Sequence, residues 1–421
     1  MKIKVNRLLL CIILFGTFIK QLYSYIGIEY VLTPGSSYGY QQLGRGDKIT
    51  LAFELIVLIS IFLLFFIESK ARKRFLTPGY RLILLTLILG IMFWEFLTIF
   101  QNGLITTLYS TTAPHIYLTV LCVCIGMDES LFNVFVKYIK WIGYLSLGLS
   151  LVWYLVFLQA YPNGLLGNSS VLTFYIQGFW LLCIWSIAEK KTSSLQVLVT
   201  ISIATFLAGL FNSRSWIIQC LIWAVVYVYY TSGKKGLTRL FKVIVFVSLG
   251  LVIACFLISH YYPQSLDLLI KKMGTDTRSF QYEDLFSQTN LWDYIFGNGY
   301  NFQYYSASMG GMYSYIDNSY LFMLVRYGLV VGLFYPLLFV IPIIKTFKNR
   351  SIRNKTALIL LMWLAALGGL SVYCAVILDL KSIALAALAG YSMRENKRSL
   401  NSKENILSNQ MKRSAQGVNR K

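Results

Sequence analysis

Apolar residues in this chain fall in long runs, separated by short polar clusters, rather than in the alternating or one-sided patterns of soluble strands and helices. A helix rises 1.5 Å per residue, so about 20 residues cross a hydrocarbon core of about 30 Å. The pattern predicts twelve crossing helices. The first seven run from Leu8 to Ile28, Ile49 to Ile67, Leu82 to Phe100, Ala113 to Met127, Ile142 to Ala160, Val171 to Ala188 and Leu195 to Phe211. The others run from Trp216 to Thr231, Val243 to Ser259, Ser319 to Ile344, Ala357 to Leu370 and Ser382 to Met393. Between His260 and Asn318 the runs stop for the longest interval between two spans, and that interval is dense in Tyr, Phe, Trp, Asp and Gly. In the segment Asp128 to Ile142, Leu131, Phe135, Tyr138 and Ile142 share one helical face while Asn133, Lys137 and Lys140 share another. This pattern predicts a separate interfacial helix.

Composition agrees with the class. The 421 residues are 57% hydrophobic and 13% charged, and mean hydropathy is +0.62, outside the range of soluble globular chains. The expected fold is all-α and polytopic, one transmembrane domain over residues 1–393 with an external loop at 260–318. A basic, disordered cytoplasmic tail is expected at 394–421. The net charge of +21 is split among short loops. Lys2, Lys4 and Arg7 precede the first span, Lys70 to Arg81 follow the second, and Lys234 to Lys242 follow the eighth. Lys345 to Lys355 follow the tenth, and the tail is basic. Twelve spans put all these clusters on one side, which predicts cytoplasmic termini and an external long loop. No nucleic-acid partner is expected, since the charge is not gathered on one face. The N-terminal run lacks a small-residue cleavage site and reads as a retained span. The seven cysteines lie in or beside apolar runs and read as free thiols.

Ionisable residues within or beside apolar runs need an explanation, because each costs about 2.5–3.5 kcal/mol to insert. Arg214 stands in a tight turn, Asn212 to Trp216, where a snorkelling anchor is the plain alternative to a ligand contact. Glu54 and Glu95 are expected to hydrogen-bond to neighbouring helices, with proton coupling as the other reading. Asp379 and Lys381 are placed to pair with each other. Arg326, in the tenth span beyond Tyr320, is placed to line the same cavity as the loop. Within the loop, the carboxylates and tyrosines suit sugar rings, which stack on aromatic faces and need hydrogen-bond partners. A folded cap with its tyrosine hydroxyls at the membrane interface fits that composition equally well.

Three features then occur in order. Ser213 and Arg214 end a span; Arg278 precedes Trp292 and the turn Gly297, Asn298, Gly299, Tyr300; Asp317, Asn318, Ser319, Tyr320 and Leu321 lead into a span with Gly328 and Gly332. This layout resembles the Wzy-type repeat-unit polymerases and their relatives, the O-antigen ligases, a GT-C-like class of membrane glycosyltransferases. The resemblance implies polymerisation of undecaprenyl-diphosphate-linked oligosaccharides into O-antigen, capsular or exopolysaccharide at the external face of a bacterial cell membrane. It implies that Arg214 and Arg278 hold the diphosphate and that Asp317 is the base, at a position where many ligases carry His. Trp292, Tyr300, Asn318, Tyr320 and Arg326 become secondary substrate contacts. The implied partners are the lipid-linked saccharide and membrane lipids, with a chain-length regulator and a flippase as candidate partners. No cofactor or metal is implied, since two arginine forks matched to phosphate oxygens can take the cationic role. Ligase-type transfer and saccharide flipping are the alternatives.

Overall fold

The computed structural model describes residues 2–26, 48–71, 77–109, 113–160, 169–189 and 193–231 apart from 212. It also describes isolated positions between 241 and 260, then 277–348 apart from 308, 309 and 315, and finally 354–370 and 378–394. The predicted tail beyond Arg394 and most of the ninth run, Val243 to Ser259, lie outside the described residues.

The first helices are α1 (Lys2–Ile26), α2 (Lys48–Ala71), α3 (Pro78–Asn102) and the short α4 (Leu104–Tyr109). A 3-10 helix, Pro114–Cys122, continues into α5 (Val123–Met127), followed by α6 (Glu129–Ala160), α7 (Ser169–Ala188), α8 (Ser194–Leu210) and α9 (Arg214–Thr231). Later come α10 (Thr277–Gln288), α11 (Leu291–Phe296), strands β1 (Tyr304–Ser306) and β2 (Gly311–Tyr313), α12 (Ser319–Lys348), α13 (Asn354–Ala365) with a π-turn to Leu370, and α14 (Leu380–Met393). Among the described residues, six helices, α1, α2, α3, α6, α7 and α12, contain stretches long and apolar enough to cross a membrane. Five of the remaining predicted runs are shorter apolar helices. The chain is thus a helical membrane protein, as its apolar runs require.

One prediction is corrected. The interfacial helix over Asp128 to Ile142 is not separate, because α6 runs unbroken through it for 32 residues. Its assigned face is nonetheless inward: Leu131, Phe135 and Ile142 are buried and Tyr138 packs against the core. No proline interrupts this stretch, and burial of the same stripe on both sides of Ile142 gives the helix no reason to end.

The centre of the bundle is the 3-10 segment, α5 and α14. Ala113 to Met127 are all buried, and so is nearly every residue of α14. α5 and α14 approach until backbones touch. A Cβ on Gly126 would lie 2.0 Å from the Ala387 carbonyl oxygen, and one on Gly390 would lie 1.9 Å from that of Val123. Small residues allow this close packing where no hydrophobic drive between helices is available.

At one end of the bundle, Arg394 pairs with Glu129 at 2.9 Å and Lys345 donates to the Met393 carbonyl at 2.9 Å. Asn6 at the start of α1 bonds Glu68 at the end of α2. The ends of α12 and α14 and the starts of α1 and α6 therefore carry this polar set. The segment from α10 to β2 belongs to the other end, where it forms a cap with its own small core. Leu285, Tyr304 and Ile316 pack there against Phe322 and Val325 of α12.

Candidate functional site

Four ionisable side chains from four elements meet in a chain near the cap end. Lys20 of α1 lies 3.0 Å from Glu54 of α2. Glu54 faces Nε2 of His115 at 3.5 Å, and Glu95 of α3 faces Nδ1 at 3.1 Å while accepting from the His115 backbone N–H at 2.9 Å. Carboxylates at both ring nitrogens match the imidazolium, the form with two N–H donors. Two cations and two anions then cancel, which is how buried charge is tolerated. The expected pairing of Glu54 and Glu95 with neighbouring elements holds. Their partners, Lys20 and His115, are residues that sequence reasoning passed over, although both are ionisable groups within apolar stretches. Asp379 and Lys381 pair at 3.1 Å, as expected, and Asp379 also caps α14 by accepting from the Ser382 N–H. Lys20 reaches the neighbouring Leu378 carbonyl at 3.5 Å, so the two groups adjoin.

Beside this layer α12 is broken. Gly328 has φ +69° and ψ −175°, and the fold-back sets Gly332 so close to Leu324 that a Cβ there would lie 2.9 Å from the Leu324 Cα. Three consecutive carbonyls at the break accept from outside the helix. Val325 and Arg326 take the N–H groups of Asn298 and Gly299, both at 2.8 Å, and Tyr327 takes the indole N–H of Trp94 at 2.9 Å. Backbone groups at membrane depth need such partners. The turn that supplies them requires glycine. Gly297 and Gly299 both have φ +83°, and a Cβ on Gly297 would lie 2.5 Å from the Gly328 nitrogen.

Arg326 is 3% exposed and lies above the break. Its guanidinium donates to the Tyr300 and Ser314 carbonyls, each at 2.7 Å, and to that of Phe302 at 3.5 Å. It also stacks 4.7 Å from the Phe322 ring centroid. The residue expected to line a cavity is thus occupied in holding both ends of the hairpin region to α12. Tyr300 contributes its carbonyl to this clamp, and its ring lies 5.9 Å from the guanidinium.

Asp317 and Asn318 divide two tasks that either side chain can perform. Asn318 is the cap of α12, accepting from the Tyr320 N–H at 3.0 Å and that of Leu321 at 3.3 Å. Asp317 precedes the cap, half-buried at the seam between α10, the hairpin and α12. Its backbone N–H donates to Gln281 at 3.2 Å. Burial first, then the carboxylate of Asp317, raises the Tyr313 hydroxyl above the usual tyrosine range. Tyr304 is raised by burial, by Tyr313 and by the carboxylates of Asp317 and Asp284, against a bond from Gln281. Both hydroxyls therefore stay protonated at neutral pH.

The other predicted site residues lie on four elements, α9, α10, α11 and α12. Tyr320 donates from its hydroxyl to the Leu364 carbonyl at 2.5 Å, and its ring lies over Gly368 on the π-turn. Trp292 is exposed on α11 and stacks on Phe296 with centroids 5.7 Å apart. Arg214 begins α9, and Arg278 lies in the first turn of α10. The side chains of both arginines lie outside the described residues. No protein family, no curated protein and no solved structure matches the chain.

Proposed function

We propose that this protein is a membrane glycosyltransferase that joins undecaprenyl-diphosphate-linked oligosaccharide repeats at the external face of a bacterial cell membrane. The observation that supports this best is the setting of Asp317. A half-buried carboxylate stands one residue ahead of the cap that Asn318 makes, and its charge acts on the hydroxyls of Tyr304 and Tyr313, at the seam of an aromatic cap and a broken membrane helix. In this reading the acceptor hydroxyl oxygen attacks the anomeric carbon and its proton passes to Asp317. The bond from that carbon to the diphosphate breaks, and the electron pair leaves with the diphosphate. Arg214 and Arg278 stabilise that leaving charge, each with a Coulomb term of about 4 kcal/mol at about 4 Å before desolvation. A single base opposite the leaving group gives inversion.

The test is reconstitution with one defined lipid-linked repeat, scored for a ladder of products. Asp317→Asn is expected to cut ladder formation by about 100-fold or more while leaving thermal stability unchanged. Arg214→Ala and Arg278→Ala are expected to leave single repeats on the lipid. Long chains from either arginine variant, at normal expression, would remove the diphosphate role.

A carrier for the same lipid-linked saccharide is the second reading, favoured by the break in α12 beside a buried charge chain. It predicts that loss of the protein strands substrate on the internal leaflet, whereas loss of the transferase leaves single repeats on the external one.

A further inference from the structure

The external segment carries an apolar face that its own packing leaves uncovered. None of the six residues of α11 is buried, and Leu291, Trp292 and Phe296 are 70%, 64% and 67% exposed. Apolar faces of this kind on soluble surfaces mark interaction sites. Both ends of the same short helix are capped locally. Asn290 accepts from the Trp292 and Asp293 N–H groups, Asp293 accepts from the Asn290 N–H at 2.7 Å, and the Gly297 N–H closes the far end on the Asp293 carbonyl at 3.0 Å. Asp293, the one charged residue in α11, is therefore taken up by the cap.

The place where α11 is fixed identifies what covers it. Gly297 abuts Gly328 of α12, and Gly299 is seated against Trp94 of α3, two turns before that helix ends at Asn102. The neighbouring outward residues of those two spans are apolar and exposed as well: Phe93 and Phe96 on α3, Leu329 and Val330 on α12. The bare face of α11 thus continues the surface that two spanning helices turn outward.

We propose that α11 is an interfacial anchor, with Leu291, Trp292 and Phe296 immersed in the lipid of the external leaflet so that the cap is held down on the bilayer. Tryptophan favours that boundary, and a helix with its terminal donors already paired can enter it at little cost. The proposal rests on the membrane-spanning reading of α3 and α12 and is independent of the glycosyl-transfer reading.

Hydroxyl-radical footprinting of the unsubstituted protein in nanodiscs of phosphatidylethanolamine and phosphatidylglycerol tests it. Trp292 is more exposed in the protein than Tyr305 of the hairpin, which is 52% exposed. Lipid shielding is expected to reverse this order and slow labelling of Trp292 about fivefold or more relative to Tyr305. A photoreactive benzoylphenylalanine at position 292 or 296 is expected to give lipid adducts, and one at 305 few. Labelling of Trp292 as fast as Tyr305, or photoproducts with a second protein chain in place of lipid, overturns the proposal.

Discussion

The charge chain inside the bundle and the seam beneath the cap both bury positive charge, and they neutralise it by different means. Lys20 and His115 are matched by the carboxylates Glu54 and Glu95. Arg326 has no carboxylate partner among the described residues and is held by three carbonyl dipoles and an aromatic face. Removing one member of the first group leaves net charge in the membrane interior. Removing the guanidinium leaves only uncharged acceptors. The first arrangement should be fragile to single substitutions and tolerant of paired ones; the second should fail locally.

The largest expected effect is therefore His115→Ala, which leaves Glu95 without its cation while Lys20 still holds Glu54, and which should cost about 3–5 kcal/mol, read as a lower melting temperature in detergent. Combining His115→Gln with Glu95→Gln should recover part of that loss. A double variant no more stable than His115→Ala would show that charge pairing is not what holds this layer. Next comes Arg326→Lys, which keeps the charge and loses the planar fork. It should cost about 1–3 kcal/mol through unsatisfied carbonyls and appear as faster proteolysis between Thr277 and Asn318, with the global transition unmoved. A global shift would mean that the cap and the bundle melt as one unit. The smallest effects are Asn318→Ala, at about 1 kcal/mol, and Asp317→Ala, which should cost less than that. The reverse order would return capping to Asp317 and weaken its candidacy as a base.

Much of the bundle was legible because a run of apolar residues long enough to cross lipid has few alternatives. The cap was legible only as a gap in that pattern, since a small core of Leu285, Tyr304, Ile316, Phe322 and Val325 has no periodicity to display. Glu54 and Glu95 stood out in the sequence, but their partners depend on which helices lie side by side. Lys20 and Glu54 meet because α1 and α2 are antiparallel, a contact no local pattern encodes. His115 was missed although an ionisable residue inside an apolar run is itself the signal. Arg326 stood out in the sequence as a charge within a span, yet a guanidinium aimed at substrate and one aimed at carbonyls look alike there. Asp317 and Asn318 are both capable caps, and only geometry separates them.

The 3-10 winding of Pro114–Cys122 changes what a short segment can reach. At about 2.0 Å per residue instead of 1.5 Å, the stretch from Pro114 to Met127 extends about 25 Å, where ordinary α winding would give about 21 Å. The same winding repeats every three residues, so His115, Leu118 and Leu121 stand in one straight file instead of spiralling. A stretch too brief to traverse the bilayer as a regular coil is drawn out into a narrow spine, and its imidazole is delivered to the depth where two glutamates wait.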